Sequence, residues 1–544
     1  MHSAWDPGLT SEIPSRLLPK VTLYRPESSS VGYKDARDAA DFCGAKPQEM
    51  IAFTLERLIL HELLIRVSAD LSVPDGPNYE ELGINLRGMA RQIFEAHVTP
   101  HMHGLRDRFD EMRQRGRTKL QDLIKEAEDA APSVVVPSRG FWDRLRGKNE
   151  TRAPEPPADM GLSHWQSQVN ETEDETRHAA LTALIAVVSG LIKTHGRVLA
   201  DRDLVVRLAL NIYCNSYGPL MLRQALDPII KEAAKLENYR VLPAQEKPFF
   251  MNVKGASAAG KSTIRPEQRA LAEKLEIPWE DFALISPDYW RKSLLDYESM
   301  GEDYKYAAML TGQELEIIDK KLDAYMEQKA GRQEMSHLLI DRFRFDSFST
   351  DQTGNRPSRL LTRFGDTVFL FFMVTPPAAT VERAWSRGLS TGRFKAVDDL
   401  LYHNIEAYEG MPELFFSWVL NSQKNIHFEF LDNSVALGER PRTIAYGWND
   451  EMVILDRDGL DNIDRFRAVN IAATRPEDVL KPSPELTFVN RCVDALARVT
   501  LLDPKGLEIT QMAENGAWVT VDEGAIMPRE TAQHDQSFTL GRWS

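Results

Sequence analysis

At 544 residues with 42% hydrophobic and 27% charged side chains, the chain is too long for one core and too ordinary in composition for a fibrous or low-complexity protein, so about three or four folding units are expected. Its formal net charge of −15 argues against nucleic acid or an anionic membrane as a general partner, while a small anionic ligand held by a few placed cations remains compatible. The three cysteines, Cys43, Cys214 and Cys492, stand far apart without a C-x-x-C pair, which indicates neither a disulfide framework nor a zinc site and suits a reducing compartment.

Residues 1–40 are rich in Pro and Ser and lack periodicity, which predicts an extended or disordered lead-in. The start Met1-His-Ser-Ala-Trp-Asp-Pro has no basic stretch followed by an apolar core, so no Sec-type signal peptide is expected there. Residues 41–130 read as a helical region. Pro47–Leu71 places Ile51, Leu55, Leu58, Ile59 and Leu63 near a 3.6-residue repeat, and Asn85–Ala130 continues with helical composition. The basic run Arg113–Lys119 reads as a solvated helix end. His97, His101 and His103 suggest a metal-binding face, but Pro100 interrupts it and no carboxylate completes a ligand set, so they read as structural or surface residues. Residues 131–162, carrying Ala-Pro-Ser-Val-Val-Val-Pro and Pro-Glu-Pro-Pro, form the clearest linker or mobile loop. A second helical region spans 163–245. Its most apolar stretch, Ala179–Ile192, is too short to span a bilayer and reads as a buried helix preceded by a capping box of Thr172 and Glu175. No membrane span is expected.

From 246 to 435 apolar strands alternate with helices. Pro248–Val253 runs into Gly255–Ser262, whose sequence Gly-Ala-Ser-Ala-Ala-Gly-Lys-Ser fits the phosphate-cradling pattern G-x-x-x-x-G-K-[ST] without a mismatch. The backbone of Gly255, Ala256, Ser257, Ala258, Ala259, Gly260, Lys261, Ser262 and Thr263 is expected to surround the phosphates of ATP, the glycines supplying unusual dihedrals and close approach. Lys261 would reach the β- and γ-phosphates and the Ser262 hydroxyl would ligate Mg²⁺. Pro266, about a turn later, predicts a helix that kinks or restarts with the proline at its first position.

Phe282–Ile285, Ser336–Ile340 and Thr367–Val374 supply three further strands, so a parallel sheet with its ligand at the strands' C-terminal ends is expected. Asp288, just past the second strand, is the candidate base for an acceptor hydroxyl, a helix cap being its structural alternative. Asp341, ending the third strand, is the candidate metal-shell acid. Asp346 competes for that role, and pairing with Arg342 or Arg344 is the structural alternative for either. Arg383 and Arg387 share one helical face and Arg393 follows a Gly-containing loop, the form of a lid that carries cations to a transferring phosphoryl group. Beyond 436, hairpins around Asn449-Asp450 and Asn515-Gly516 flank a helix near Glu485–Arg498. The expected fold class is α/β: a P-loop kinase core with a central parallel sheet at 246–435, preceded by a large all-α region and followed by a small mixed α/β extension at 436–544.

Gly255–Ser262, the strand-end Asp288, the Thr311-Gly-Gln-Glu314-Leu-Glu316 helix, the Ile340-Asp341 strand end and the Arg383/Arg387/Arg393 lid together resemble the zeta-toxin kinases, and among them the NAD kinases delivered by plant pathogens as type III effectors, over about residues 246–435. The resemblance implies ATP and Mg²⁺ as cofactors, Asp288 as base, and Arg387 and Arg393 on the γ-phosphate. It also implies Thr311, Glu314, Asp341 and Arg383 beside a small-molecule acceptor of the NAD or nucleotide-sugar type. Zeta toxins carry a Glu followed two residues later by Thr at the third strand end. Here Asp341 and Phe343 stand there, which leaves the acceptor open. The helical antitoxin of that family implies that the N-terminal helices either restrain the kinase in cis or recruit an antitoxin- or chaperone-type partner. A bacterial cytoplasmic site, compatible with export by a specialised secretion system, follows from the same resemblance. Two other readings remain open: an ATP-binding regulatory or scaffold protein, and a polynucleotide kinase, against which the acidic balance and the lack of an aromatic-basic stripe count.

Overall fold

The protein is described by a computed structural model over residues 2–76, 80–130, 160–341, 364–420, 423–436, 438–482 and 485–543. Asp346, Arg342, Arg344, Phe343 and the linker as far as residue 159 lie outside the described residues. The N-terminal half contributes helices α1 (Tyr33–Cys43), α2 (Leu55–Asp70), α3 (Glu81–Gln92), α4 (Met102–Ala130), α5 (Leu162–Gln168), α6 (Glu175–His195) and α7 (Arg202–Leu236). The chain divides into two compact units, one formed by residues 15–63 and 92–233, the other by 1–14, 64–91 and 234–544.

The first unit is helical. Its α6 buries Leu181, Leu184, Val188 and Leu191, the i, i+3, i+7, i+10 spacing of one face. At 21 residues with a mean hydropathy of 1.3 over its most apolar window, α6 is long and apolar enough to cross a membrane by length and composition, longer than the 179–192 stretch suggests. Its buried face is that of a core helix. Asp174 caps it by accepting from the Thr176 N–H at 2.9 Å, in place of the Thr172–Glu175 box. Asp174 directly precedes the helix, whereas Thr172 stands two residues further out. Arg223 Nε donates to Glu62 Oε1 at 2.9 Å, both side chains being buried. Pro100 lies in a 3₁₀ turn, Thr99–His101, that joins a π turn, Ile93–Val98, to α4, so the three histidines do not occupy one regular helix.

The extended lead-in expected for 1–40 is not what the structure contains. Short 3₁₀ turns at Ser15–Lys20 and Thr22–Tyr24 bury Leu17, Val21 and Leu23 before α1 begins at Tyr33. The prolines and serines mark turns between apolar anchors, and those anchors supply the burial that offsets ordering the backbone.

The second unit is built on a ten-stranded sheet in the order β10-β9-β8-β7-β6-β5-β4-β1-β3-β2. The strands are β1 (Phe249–Lys254), β2 (Phe282–Ile285), β3 (His337–Ile340), β4 (Thr367–Val374), β5 (Asn425–Asp432), β6 (Arg442–Trp448), β7 (Glu451–Ile454), β8 (Arg498–Asp503), β9 (Glu508–Glu514) and β10 (Ala517–Val519). β2, β3, β1, β4 and β5 run parallel. Their near-continuous apolar runs, such as Phe-Leu-Phe-Phe-Met-Val in β4, are what a strand buried on both faces requires. Helices α8 (Arg265–Lys274), α9 (Arg291–Leu294), α10 (Ala307–Leu310), α11 (Gly312–Gly331), α12 (Pro377–Thr391) and α13 (Val397–Val419) connect them.

Residues 436–544 do not form a separate appendage. β6 pairs antiparallel with β5, β7 continues the hairpin, β8 adds in parallel, and β9 and β10 close the far edge. Helices α14 (Arg457–Arg465), α15 (Phe488–Ala495) and α16 (Arg529–Phe538) accompany them. The result is a mixed α/β fold in which the C-terminal ends of five parallel strands meet along one edge.

Candidate active site

That edge opens into a cavity of about 900 Å³, lined by the loop after β1, the turn after β2, Asp341 after β3, the α12–α13 segment and the residues after β5. All of it belongs to the second unit.

The glycine loop turns sharply, and two of its residues show why their identities matter. Gly260 has φ +94°, and a Cβ there would meet Asn433 Nδ2 at 2.3 Å, while a Cβ on Gly255 would meet Met373 Cβ at 2.9 Å. Gly260 therefore supplies the left-handed dihedral and Gly255 the close approach to β4. The unusual dihedral belongs to one glycine, and Ala258, at φ 62°, takes the other. The Ala259 carbonyl accepts from Asn433 Nδ2 at 2.7 Å, Thr375 Oγ1 at 2.9 Å and Arg383 Nη1 at 3.4 Å. Three donors fix that peptide plane, and in a trans peptide the Gly260 N–H then faces away from them. After the loop, Lys261–Ile264 forms a 3₁₀ turn and α8 restarts at Arg265 with Pro266 in its first turn, as the proline predicts.

Lys261 Nζ donates to the Gly255 and Ala256 carbonyls at 3.2 and 3.1 Å. Burial pushes its ammonium below the ordinary lysine range, and the Asp341 and Asp288 carboxylates oppose that shift. Ser262 Oγ donates to Asp341 Oδ2 at 2.8 Å. β1 and β3 are neighbouring parallel strands, so the glycine loop that follows one and the carboxylate at the end of the other converge. Two hard oxygen donors side by side beside a phosphate loop fit Mg²⁺, which binds through one or two protein oxygens together with phosphate and water. Among the described residues no group of three or more His, Cys, Asp or Glu side chains stands ready to hold a metal alone.

Asp288 lies in a 3₁₀ turn after β2, Pro287–Trp290. It pairs with Arg291 at 3.0 Å and with Arg393, and about a third of its side chain, 32%, remains exposed. Burial alone raises a carboxyl, but the guanidinium groups of Arg393 and Arg291, with Arg387 further off, hold Asp288 well below the usual carboxylate range. Arg291 is itself fixed, donating to the Ala308 carbonyl at 2.6 Å and to Thr311 Oγ1 at 2.9 Å. Thr311 thus supports Asp288 through Arg291.

The other expected site residues separate into two groups. Arg387 and Arg393 line the cavity. Arg383 lines it too, but its Nη2 donates to the Asn433 and Val435 carbonyls at 2.8 and 2.9 Å, so it braces the residues after β5 against the glycine loop. Thr311 and Glu314 are fully buried and are not among the residues lining the cavity. On α11 the lining residues are Gly312, Leu315, Glu316, Asp319 and Lys320, the opposite phase of the helix from Glu314 and Ile318. That helical phase was readable in the sequence. Arg291, three residues after Asp288, was also within reach of a local reading.

Sequence reasoning gave no role to Lys395, Asp399 and His403, which also line the cavity. Lys395 Nζ lies 3.1 Å from Asp399 Oδ2 and contacts His403. Burial pushes the Lys395 ammonium down to about 8, against the pull of Asp399. Burial, with Lys395 alongside, pushes the His403 imidazole down to about 2, so this ring is neutral at physiological pH.

No protein-family model and no curated protein matches this chain. Its chemistry is therefore read from the cavity itself. A glycine loop with its lysine, a hydroxyl–carboxylate pair, an ionised aspartate and a cationic α12–α13 segment line one cavity.

Proposed function

We propose that the protein is an ATP- and Mg²⁺-dependent phosphotransferase of zeta-toxin type, acting on a hydroxyl of a small nucleotide-containing metabolite of the NAD or nucleotide-sugar kind. The observation that carries this reading is the Ser262–Asp341 hydrogen bond at 2.8 Å in one cavity with Lys261 and Asp288. The loop's N–H groups bind the phosphates. Ser262 and Asp341 would hold Mg²⁺, which would supply charge neutralisation at the phosphates. Lys261 leaves the loop carbonyls for the β- and γ-phosphates.

Asp288 accepts the acceptor hydroxyl's proton, and Arg387 and Arg393 meet the charge on the transferring group. In the described state Arg393 is paired with Asp288. Nucleotide phosphates compete for that guanidinium, so donor binding frees the base. The helical first unit fits the restraint or partner-recruiting role that an antitoxin or chaperone plays in such systems.

Incubation with γ-labelled ATP, Mg²⁺ and a metabolite pool containing NAD and UDP-sugars tests the reading. Label in a small molecule, lost in Lys261→Ala and Asp288→Asn, is expected. ATP binding without transfer to any acceptor would instead point to an ATP-sensing scaffold.

A further inference from the structure

We infer that residues 2–11 form a clasp that positions the α12–α13 cations for phosphoryl transfer, a role that rests on the kinase reading above. Three separate contacts tie this segment down. Trp5 Nε1 donates to Glu382 Oε1 of α12 at 2.7 Å. Ser11 Oγ donates to Asp398 in the first turn of α13. Lys305 Nζ donates to the Pro7 carbonyl at 2.7 Å.

The segment is itself folded, with Ser3 and Asp6 exchanging backbone hydrogen bonds at 3.0 and 3.2 Å. Gly8, at φ +72°, turns the chain where a Cβ would lie 2.3 Å from the His2 ring.

The anchor points explain what the clasp controls. Glu382 and Asp398 stand on either side of the loop that carries Arg393 and Lys395, so the segment bridges the two helices that hold that loop. Lys305 extends the link, lying 5.8 Å from the Trp385 ring centroid and 5.6 Å from that of Phe394. Ala4 is buried in one apolar cluster with Val381, Ala384, Leu400 and Leu401, and Ala258 of the phosphate loop packs against the same cluster. The N-terminal segment, the two helices that flank the Arg393–Lys395 connection and the glycine loop thus share one packed body. Trp5 and Ser11 act through α12 and α13 and are positioning residues.

Removal of residues 2–12, and Trp5→Ala in the full chain, should lower kcat about ten- to a hundred-fold, the loss that misplacement on the scale of 1 Å produces. The Kd for ATP should change little, because the loop N–H groups dominate ground-state phosphate binding. Trp5→Phe, which keeps the ring and removes the donor, should fall between. Glu382→Gln should stay near wild type, because its amide oxygen still accepts. A synthetic peptide of residues 2–14 added to the truncated protein should restore transfer, which a merely structural loss would not allow. Unchanged kcat after truncation in an active full-length protein would overturn the clasp. So would a loss of kcat that the peptide does not rescue and that tracks a fall in Tm and ATP affinity. Absence of transfer by the full chain with every acceptor would remove the kinase reading itself, and the clasp's role with it.

Discussion

Asp288 is held between two arginines, Arg291 at 3.0 Å and Arg393, and that pairing decides how it can work. In the free protein a carboxylate held this far below its usual range stays ionised, so kcat/KM, which reports the free protein, should show no acid limb from Asp288 above about pH 4. Arg393→Gln removes one of the two guanidinium groups paired with Asp288 and raises the carboxyl's pKa. Its kcat/KM–pH profile should gain an acid limb, falling as pH drops through the new value. Superimposable wild-type and variant profiles would show that Arg393 does not control the base. The aspartate and the loop lysine were legible in the sequence because each follows a strand end or a fixed motif. Lys395 and His403 were not, because what makes them part of the site is a tertiary fold that brings the α12–α13 connection and the start of α13 to the cavity, and no local spacing encodes it.

At the scale of elements, the glycine loop depends on backbone shape. Gly260→Ala places a Cβ at φ +94° and 2.3 Å from Asn433 Nδ2. The strain should cost about 1–3 kcal/mol, and moving Asn433 would also loosen the Ala259 carbonyl from one of its donors. ATP affinity should fall sharply while the far-ultraviolet circular dichroism spectrum stays native, a combination that ATP titration and spectroscopy of the variant would check. The strand–loop–helix pattern and the Pro266 restart were readable because they are local. The clasp was not: Trp5 meets Glu382 across 377 positions, and a stretch of prolines, serines and isolated apolar residues carries no periodic signal of such a partner. The face of α11 was readable in phase, and Thr311 and Glu314 turned out to sit behind the residues that line the cavity.

On the scale of the whole molecule, the C-terminal strands belong to the same sheet as the phosphate loop, and a buried carboxylate links them. Glu429 of β5 is fully buried and accepts from Thr443 Oγ1 at 2.7 Å, the Leu540 N–H at 2.7 Å and the Gly541 N–H at 2.9 Å. Burial pushes its carboxyl up to about 7 despite those donors. Because the folded value lies above the unfolded one, the folded state binds more protons between about pH 4.3 and 7, and this group's stabilisation, complete below that window, is lost as pH rises through it. Wild-type stability should therefore decline relative to Glu429→Gln over that range, by at most about 1.4 kcal/mol per pH unit, read from Tm at several pH values. Parallel Tm–pH curves would contradict it. The hairpins on either side of Asn449 and Asn515 were legible from their turn residues, but which edge they would join was not, because pairing is set by contacts distant in sequence.

The proposed reaction moves the γ-phosphoryl group of ATP onto an acceptor hydroxyl in this cavity. A single-turnover experiment with γ-labelled ATP, Mg²⁺ and the metabolite pool, separating phosphorylated small molecule from inorganic phosphate, tests it most directly. Label should appear in an alcohol phosphate ester in the wild-type protein and in neither product for Lys261→Ala. Label released only as inorganic phosphate, or retained wholly in ATP, would contradict the claim.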